Sequence, residues 1–409
     1  MKACLIGKTL KHSFSKEIHI ALGVDYDLVE LAEGEVETFV KGQSYSFYNV
    51  TIPYKETVIP FLDEIDESAK AVGAVNTVKT VNGKTVGYNT DVAGMEYALN
   101  QGGAHVSGAN CVILGTGGTA KTARATLTMM GAKKITTVSR TGQFNYENYH
   151  LLTDTEVLIN TTPVGMFPNV EARPVDLVKF PNLKFVFDAV YNPLKTELYL
   201  QAESLGIPAR CGLSMLVYQA VRAEEIWQGK SYPVKRAQEI VDSVFAKKEN
   251  VTLIGMPAAG KTTVGQKLAN LLSKPFVDLD LEIERQEKMT ISEIFATKGE
   301  TYFRDIETSL IKEFGNRNGI VLSTGGGAPV REENRNALRR NSFVVWIDRK
   351  IEKLTTNGRP VSQREGVERL YEQRSPIYQS VADVKVDNNG NLEETLKEIL
   401  ELYEENLGN

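Results

Sequence analysis

The sequence predicts an α/β protein with parallel sheets and more than one domain, on three observations. Short apolar runs alternate with amphipathic helical patterns along most of the chain, which is the rhythm of strand–helix–strand units. Two glycine-rich loops, at 115–122 and 255–263, each follow such an apolar run directly. The 409 residues, 42% hydrophobic and 24% charged, are globular in composition and too many for a single core.

The first half is predicted from short strands and one tight α/β series. The runs KACLIG, SFYNVTI and NTVKTV are predicted strands with amphipathic stretches between them. From residue 109 the runs NCVILG, ITTVSR, VLINTT and FVFDAV follow one another, with a helix predicted from Ala120 after the first. This series indicates a parallel sheet with helices on both faces. Residues 214–229 and 233–246 are predicted helices, the first ended by Gly229 and the second begun by Pro233.

The second half repeats the pattern after a short polar stretch, AKKEN at 246–250, and we predict a domain boundary near residue 248. Strands are predicted at 251–254, 276–279, 320–323 and 343–347. The tail LEETLKEILELYEE is a predicted amphipathic helix. No long Gly/Ser linker separates the halves.

Charge, cysteines and hydropathy narrow the class of protein. A net charge of -5 argues against nucleic acid as a partner, and no apolar run reaches the roughly 20 residues of a membrane span. The start, MKACLIG, lacks the apolar core of a signal peptide. The three cysteines, of which Cys4 and Cys111 lie in strand-like runs, fit a reducing compartment. We therefore expect a cytoplasmic protein with small-molecule partners, either a monomer or a homodimer.

The first glycine-rich loop, GTGGTAKT, has the spacing of a dinucleotide-binding turn. Gly115 permits the tight turn, while Gly117 and Gly118 let the backbone approach a pyrophosphate at the N-terminus of the next helix. The following strand ends in Ser139-Arg140-Thr141, at the distance of roughly 20 residues where NAD sites place an acidic residue for the ribose hydroxyl. Since a guanidinium suits a 2′-phosphate instead, these residues favour NADP.

Seven strings in a fixed order carry a resemblance to a known family. They are HSFS with Ser13 and Ser15, NVTIPYK with Thr51 and Lys55, GAVNT with Asn76, GYNTDVAG with Asp91, NTTPVGM, DAVYNPLKT with Tyr191, and GLSMLVYQ with Gln219. With them, residues 1–247 resemble shikimate dehydrogenase. The resemblance implies reversible, NADPH-dependent reduction of 3-dehydroshikimate to shikimate. It also implies an α/β substrate domain, made of 1–98 and 213–247, and a Rossmann-like NADP domain at 99–212.

The same resemblance makes Lys55 and Asp91 the catalytic pair. A nearby ammonium can stabilise and protonate the oxygen of a ketone that receives hydride, and a carboxylate can hold that ammonium in place. The substrate's carboxylate and hydroxyls would be held by Ser13, Ser15, Thr51, Asn76, Tyr191 and Gln219. Two departures from the family, Ser139 in place of asparagine and the uncharged pair Gln143-Phe144, lead us to expect a weaker NADP preference.

The second loop, GMPAAGKTT, fits the P-loop pattern G-x-x-x-x-G-K-[ST]. Backbone N–H groups of 257–262 would cradle the phosphates of ATP, and Lys261 would reach the β/γ oxygens. The Thr262 hydroxyl would bind Mg²⁺. The residues predicted to bind ATP are Gly255, Gly260, Lys261, Thr262 and Thr263. A P-loop does not by itself identify the phosphoryl acceptor.

Further strings make residues 250–409 resemble shikimate kinase, in a domain predicted to span 248–409. They are VDLD with Asp278 and Asp280, GETYFRDIE with Arg304, STGGGAP with Gly326 and Gly327, GRPVSQRE with Arg359, and YEQRSPIY with Arg374. The resemblance implies a P-loop α/β/α fold that transfers the γ-phosphoryl of ATP to the 3-hydroxyl of shikimate.

The kinase resemblance assigns a role to each of these residues. Asp280 would accept or orient the hydroxyl proton, and Asp278 would hold Mg²⁺. Arg304 and Arg374 would clamp the carboxylate, with Gly326 and Gly327 offering backbone N–H groups. Arg359 would enter from a lid, shorter here than is usual, to stabilise the transferring phosphoryl. Ala258 stands where the family usually has glycine, and we expect it to be tolerated if its φ is negative.

Together the halves predict a bifunctional enzyme of aromatic amino-acid biosynthesis, because the product of the first reaction is the substrate of the second. Two alternatives stay open at this point. One is a regulatory protein that senses shikimate without turnover. The other is an NAD-dependent quinate/shikimate dehydrogenase joined to the kinase.

Overall fold

The computed structural model describes residues 2–10, 13–354, 361 and 366–407. The chain divides into two compact units. The first comprises Met1–Asn192 and Thr196–Val244, and the second Pro193–Lys195 and Phe245–Asn409. Among the described residues, no helix is long and apolar enough to cross a membrane.

The first unit begins with a six-stranded mixed sheet. Its strands are β1 (Lys2–Gly7), β2 (Asp25–Glu30), β3 (Phe47–Val50), β4 (Glu64–Ile65), β5 (Thr77–Val81) and β6 (Lys84–Tyr88). They lie in the order β2-β1-β3-β5-β6-β4. The hairpin between β5 and β6 turns at Asn82-Gly83, both with positive φ (49° and 78°), as an Asn-Gly turn favours. Strands β2, β4 and β6 were not predicted from the sequence.

A second sheet of the first unit has five strands, all parallel, as the alternation from residue 109 predicted. The strands are β7 (Asn110–Leu114), β8 (Lys134–Val138), β9 (Val157–Asn160), β10 (Phe185–Asp188) and β11 (Ala209–Cys211), in the order β11-β10-β9-β7-β8. Because β8 and β9 lie on opposite sides of β7, the crevice at the carboxyl ends of β7 and β9 is a topological switch point.

Helices of the first unit cover these sheets. They are α1 (Ser15–Ala21), α2 (Val36–Gly42), α3 (Glu67–Val72), α4 (Asp91–Gln101), α5 (Gly118–Met129), α6 (Glu197–Ser204), α7 (Leu213–Gln228) and α8 (Val234–Lys248). A Cβ on Gly94 of α4 would lie 2.6 Å from the Met215 carbonyl of α7. Glycine therefore lets these helices pack closely, and this brings Asp91 and Gln219 to one place.

The polar stretch expected to be a linker is helical up to Lys248, and the units divide between Val244 and Phe245 within α8. Alanine and lysine are strong helix formers, and Lys247 and Lys248 suit the negative end of a helix dipole. These propensities explain why the helix runs further than the predicted end at 246.

The second unit contains a five-stranded parallel sheet in the order β13-β14-β12-β15-β16. Its strands are β12 (Asn250–Ile254), β13 (Phe276–Asp278), β14 (Val321–Ser323), β15 (Ser342–Asp348) and β16 (Val384–Asp387). Its helices are α9 (Lys261–Leu271), α10 (Leu279–Glu287), α11 (Ile291–Thr297), α12 (Gly299–Gly315), α13 (Glu332–Arg339), α14 (Val367–Val381) and α15 (Leu392–Leu407). The P-loop follows the central strand β12, and the α/β fold class predicted for the chain is confirmed.

Candidate active sites

Lys55 and Asp91 meet in the first unit. The Lys55 Nζ donates to Asp91 Oδ2 at 2.6 Å, and the two side chains are 24% and 11% exposed. Asp91 is the first residue of α4, where the positive end of the helix dipole favours a carboxylate. Its other oxygen, Oδ1, accepts from Asn76 Nδ2 at 2.9 Å. Both carboxylate oxygens therefore have donors, and Asp91 holds the Lys55 ammonium in one place.

Among the other residues predicted to bind the first substrate, Asn76 and Gln219 lie next to this pair, and Ser13, Ser15 and Tyr191 lie near one another. Asn76 Nδ2 is 3.4 Å from Gln219 Oε1. Ser13 Oγ donates to Ser15 Oγ at 3.1 Å, just before α1. The Tyr191 ring lies 5.2 Å from that of Phe14, which stands between the two serines. Thr51 follows β3, and its N–H donates to the Ile6 carbonyl at 3.0 Å.

The first glycine-rich loop turns at the switch point. Gly115 has a φ of 104°, and a Cβ there would lie 2.9 Å from Thr161 Oγ1, so the turn requires glycine. A Cβ on Gly117 or Gly118 would meet no atom within 4 Å, which leaves open space at the N-terminus of α5. Anions are favoured there, so the loop fits a pyrophosphate.

Ser139, Arg140 and Thr141 form a tight loop after β8, closed by the Ser139 N–H donating to the Phe144 carbonyl at 3.1 Å. The structure adds Arg124 of α5, whose Nη2 donates to Thr137 Oγ1 at 2.6 Å. This brings a second guanidinium towards the same end of β8. From the sequence, a second cation for NADP was expected only in the loop after β8, where Gln143-Phe144 offers none. The sequence does not show that Arg124 of α5 lies beside this strand.

The condition set for Ala258 in the P-loop, a negative φ, is not met. Ala258 has a φ of 68°, because the loop there takes positive φ, as it also does at Gly255 and Gly260. An alanine in that region is strained by contact between its Cβ and the following carbonyl. The P-loop therefore accommodates Ala258 at a cost in stability.

We expect Ala258→Gly to raise the free energy of unfolding by about 0.5 to 1 kcal/mol, the relieved strain less the entropy cost of glycine. Denaturant unfolding of the full chain, followed through the transition of the second unit, measures this. The adjacent Ala259→Gly is the control and should destabilise, because Ala259 is 0% exposed and is not among the positive-φ residues. A loss of stability in Ala258→Gly would contradict the strain argument.

Lys261, Thr262 and Asp278 lie together at the P-loop. Lys261 Nζ donates to the carbonyls of Gly255 (3.0 Å) and Met256 (2.9 Å). The Thr262 hydroxyl donates to Asp278 Oδ2 at 2.7 Å. Hydroxyl and carboxylate oxygens are ligands that Mg²⁺ prefers, so the two residues predicted to hold it fit that ion. Thr263, also predicted to bind ATP, follows on α9.

A cavity of about 530 Å³ contains the P-loop together with the residues predicted to bind the acceptor. Its lining includes Asp280, Arg304, Gly326, Gly327 and Arg374. Arg304 Nη1 donates to Glu307 Oε2 at 2.6 Å. A Cβ on Gly327 would collide with the Arg304 guanidinium, so glycine there lets the arginine lie against the backbone. The predicted lid residue Arg359 lies outside the described residues.

Two further residues lie at the cavity: Glu307, which ends the string GETYFRDIE and pairs with Arg304, and Tyr378, which was not predicted. Burial raises the pKa of Glu307, while Arg304 opposes that rise. The buried Tyr378 donates its hydroxyl to the Gly326 carbonyl at 2.5 Å. Tyr378 is four residues after Arg374 on α14, a spacing that places both on one helix face and could have revealed it.

The two units thus define a class of protein: an oxidoreductase with a dinucleotide-binding fold, followed by a P-loop kinase. The family model described as the shikimate dehydrogenase substrate binding domain matches residues 5–78, and the shikimate kinase model matches 257–404. The chain belongs to the shikimate dehydrogenase family and carries a shikimate kinase domain after it, so the predicted family and the two enzyme classes are confirmed.

Similar proteins cover the first unit. The chain is 38% identical over 259 residues to a shikimate dehydrogenase (NADP(+)) of Caldicellulosiruptor bescii, covering 55% of this chain and 88% of that relative. A shikimate 5-dehydrogenase structure from Thermus thermophilus, in complex with NADP(H) and shikimate, is 27% identical, with a TM-score of 0.55 over 59% of this chain and 99% of that one. A quinate dehydrogenase structure from Corynebacterium glutamicum, in complex with NAD, is 26% identical, with a TM-score of 0.54 and the same coverages. The two domains make the chain a bifunctional enzyme of the shikimate pathway.

Proposed function

We propose that the chain reduces 3-dehydroshikimate to shikimate with NADPH and then phosphorylates shikimate to shikimate 3-phosphate with ATP. The proposal is supported by the contacts of one predicted proton-transferring group in each unit. In the first, Lys55 is bonded to Asp91. In the second, Asp280 lines the cavity that contains the P-loop and both arginines. The domain bounds are proposed as 1–98 with 213–247, 99–212, and 248–409.

In the first reaction, NADPH supplies a hydride to the ketone carbon. Lys55 gives its proton to the oxygen that gains charge, and Asp91 keeps the ammonium in place before transfer. The side chains of Ser13, Ser15, Thr51, Asn76, Tyr191 and Gln219 hold the carboxylate and ring hydroxyls. The reverse reaction returns the hydroxyl proton to the Lys55 amine.

The choice of NADP is supported by two guanidiniums near the end of β8. Arg140 is exposed in the loop after the strand, and Arg124 bonds to Thr137 within it. Charge-assisted hydrogen bonds from arginine suit a 2′-phosphate, which NAD lacks. A second candidate, an NAD-dependent quinate/shikimate dehydrogenase, is favoured by the absence of a cation from Gln143-Phe144.

Steady-state rates with NADP or NAD, each with shikimate or quinate, separate these candidates in one set of assays. The proposal expects the largest kcat/KM with NADP and shikimate. A larger value with NAD and quinate would replace it by the second candidate. ADP release with shikimate and ATP tests the kinase reaction on the same preparation.

We expect Arg140→Ala to lower the ratio of kcat/KM with NADP to that with NAD by about tenfold, since a charged hydrogen bond of roughly 1.5–3 kcal/mol is lost only with NADP. Arg124→Ala should lower the same ratio if its guanidinium also serves the phosphate. Lys133→Ala is the matched control, because this exposed cation precedes the other end of β8. An unchanged ratio in Arg140→Ala would remove the assigned phosphate contact.

In the second reaction, Asp280 accepts the proton of the 3-hydroxyl, and Arg304 and Arg374 bind the carboxylate. Lys261 would bind the β/γ-phosphates from its place at the P-loop, with Gly255, Gly260, Thr262 and Thr263 completing the nucleotide site. Mg²⁺, held by Thr262 and Asp278, would neutralise phosphate charge. Gly326 and Gly327 offer N–H groups to substrate oxygens, and Arg359 is assigned to the transferring phosphoryl.

The kinase reaction should lose rate as the pH falls below about 6, because Mg²⁺ on Asp278 would cancel part of the charge that raises the pKa of Asp280. Burial, followed by the charges of Asp278 and Glu307, raises the pKa of Asp280 to about 6. Below that pH the carboxyl is protonated and cannot accept the hydroxyl proton; above it the carboxylate is present. A pH profile of kcat/KM for shikimate should show this acidic limb. Asp280→Asn should be slow throughout and lack the limb; a limb that persisted would assign it to another group.

A further inference from the structure

A chain of buried hydrogen bonds leads from Asp91 into the core of the first unit. Asp91 Oδ1 accepts from Asn76 Nδ2 (2.9 Å), and Asn76 Oδ1 accepts from Thr77 Oγ1 (3.1 Å). Thr77 Oγ1 accepts in turn from Asn49 Nδ2 at 3.0 Å. Asn49, Thr77 and Asn76, here called the buried amide chain, are each at most 4% exposed. Tyr26 ends the chain by donating its hydroxyl to Asn49 Oδ1 at 2.6 Å.

Donor and acceptor counts fix the orientation of each amide. Asn49 Nδ2 uses its two hydrogens on Thr77 Oγ1 and the Asn76 carbonyl (3.1 Å), which leaves Oδ1 facing Tyr26. Asn76 Oδ1 also accepts from the Thr90 N–H at 2.8 Å, which leaves its Nδ2 facing Asp91. A buried amide whose oxygen and nitrogen both have hydrogen-bond partners resists rotation. A flip would place its donors against donors and its acceptor against an acceptor.

The Tyr26 ring packs against a buried histidine. Its ring stacks on the His19 imidazole, with centroids 4.0 Å apart and an interplanar angle of 3°. His19 Nδ1 lies 2.7 Å from Glu224 Oε1, and both side chains are 0% exposed. Burial lowers the pKa of His19 and raises that of Tyr26, so the imidazole stays neutral and the phenol stays protonated as a donor near neutral pH. The Tyr26 hydroxyl therefore has a fixed place and a fixed role.

We propose that the Tyr26 hydroxyl is a positioning group for the dehydrogenase reaction, acting through the buried amide chain on the carboxylate of Asp91. The inference rests on the proposed function of the Lys55–Asp91 pair. Proton transfer requires the donor to be aligned in the transition state, and small misplacements are costly to rate. Tyr26 is 1% exposed and is not among the residues assigned to the substrate, so its loss should lower kcat through Asp91 more than it changes KM through Asn76.

Tyr26→Phe, with Tyr48→Phe as its control, tests this. Tyr48 lies on β3 beside Asn49 and is 2% exposed, and its hydroxyl has no hydrogen-bond partner within the described part of the chain. Tyr26→Phe should lower kcat for shikimate oxidation about tenfold and change KM less than about twofold. Tyr48→Phe should leave both constants unchanged. Equal rates in the three proteins, or equal losses in both variants, would overturn the inference.

Thr77→Val removes the middle hydroxyl of the buried amide chain and keeps the shape of the side chain. It should lower kcat and leave KM nearly unchanged, as Tyr26→Phe should, and it replaces that variant in the test if Tyr26→Phe fails to fold. In the double variant the losses should not multiply, since both act through one route. Multiplying losses would assign Tyr26 to general packing. Failure of the proposed function is distinguishable: it would appear as a wild-type chain without dehydrogenase activity, or as a Lys55 variant that retains it.

Discussion

Replacing Lys55 by methionine should lower the dehydrogenase kcat by about 10³-fold and leave the kinase rate unchanged. The ammonium supplies both the proton and the charge that stabilises the developing alkoxide, and each effect alone is worth roughly 10²-fold or more. Methionine keeps the length and apolar stem of the side chain, so the variant removes charge rather than packing. Initial rates of NADPH oxidation with 3-dehydroshikimate, and of ADP release with shikimate, measure the two activities separately.

The matched control is Lys70→Met. Lys70 also pairs with a carboxylate, Glu67, at 2.6 Å, but it is 57% exposed, against 24% for Lys55. An exposed pair contributes little, so both activities should remain. Lys55→Met leaves the largely buried Asp91 without its cation, so thermal denaturation must show that the variant is folded. If a folded Lys55→Met protein lost kinase activity as well, the two sites would not be independent.

The parts predictable from sequence were those fixed by short local patterns. Both glycine-rich loops follow a strand and precede a helix, as their spacing requires. The parallel sheets follow from the alternation of strands and helices. Lys55 and Asp91 are 36 residues apart, so no local pattern pairs them. The family resemblance predicted the pair, and the two side chains are joined by a 2.6 Å hydrogen bond.

The remaining features depend on contacts that sequence patterns do not encode. Strand β4 has only two residues and exists through pairing with β6, so no periodicity could reveal it. The positive φ of Ala258 is imposed by the path of the P-loop against the intrinsic preference of alanine. Arg124 and Tyr26 gain their proposed roles through neighbours on other elements, Thr137 and Asn49.

Both proposed sites are assigned the carboxylate of the same small molecule, but with different kinds of hydrogen-bond donor. The first assigns it to the neutral hydroxyls of Ser13 and Ser15, and the second to the guanidiniums of Arg304 and Arg374. The kinase cavity already holds Asp278, Asp280 and Glu307, so cationic partners balance a cluster of acids. In the dehydrogenase site Lys55 already balances the charge of Asp91. The neutral hydroxyls therefore need not offset a further acid when they bind the substrate carboxylate.

Lys261→Met should give the converse result, lowering the kinase kcat by about 10²- to 10³-fold with the dehydrogenase rate unchanged. Lys261 is 7% exposed and bonded to two P-loop carbonyls, so its ammonium is kept next to the place assigned to phosphate. Without it, the charge that develops on the phosphoryl oxygens loses its nearest fixed cation. Lys267→Met, an exposed position further along α9, is the control and should retain both activities. A Lys261→Met protein with wild-type kinase rate would refute the assignment, because methionine cannot replace a cation at a phosphate.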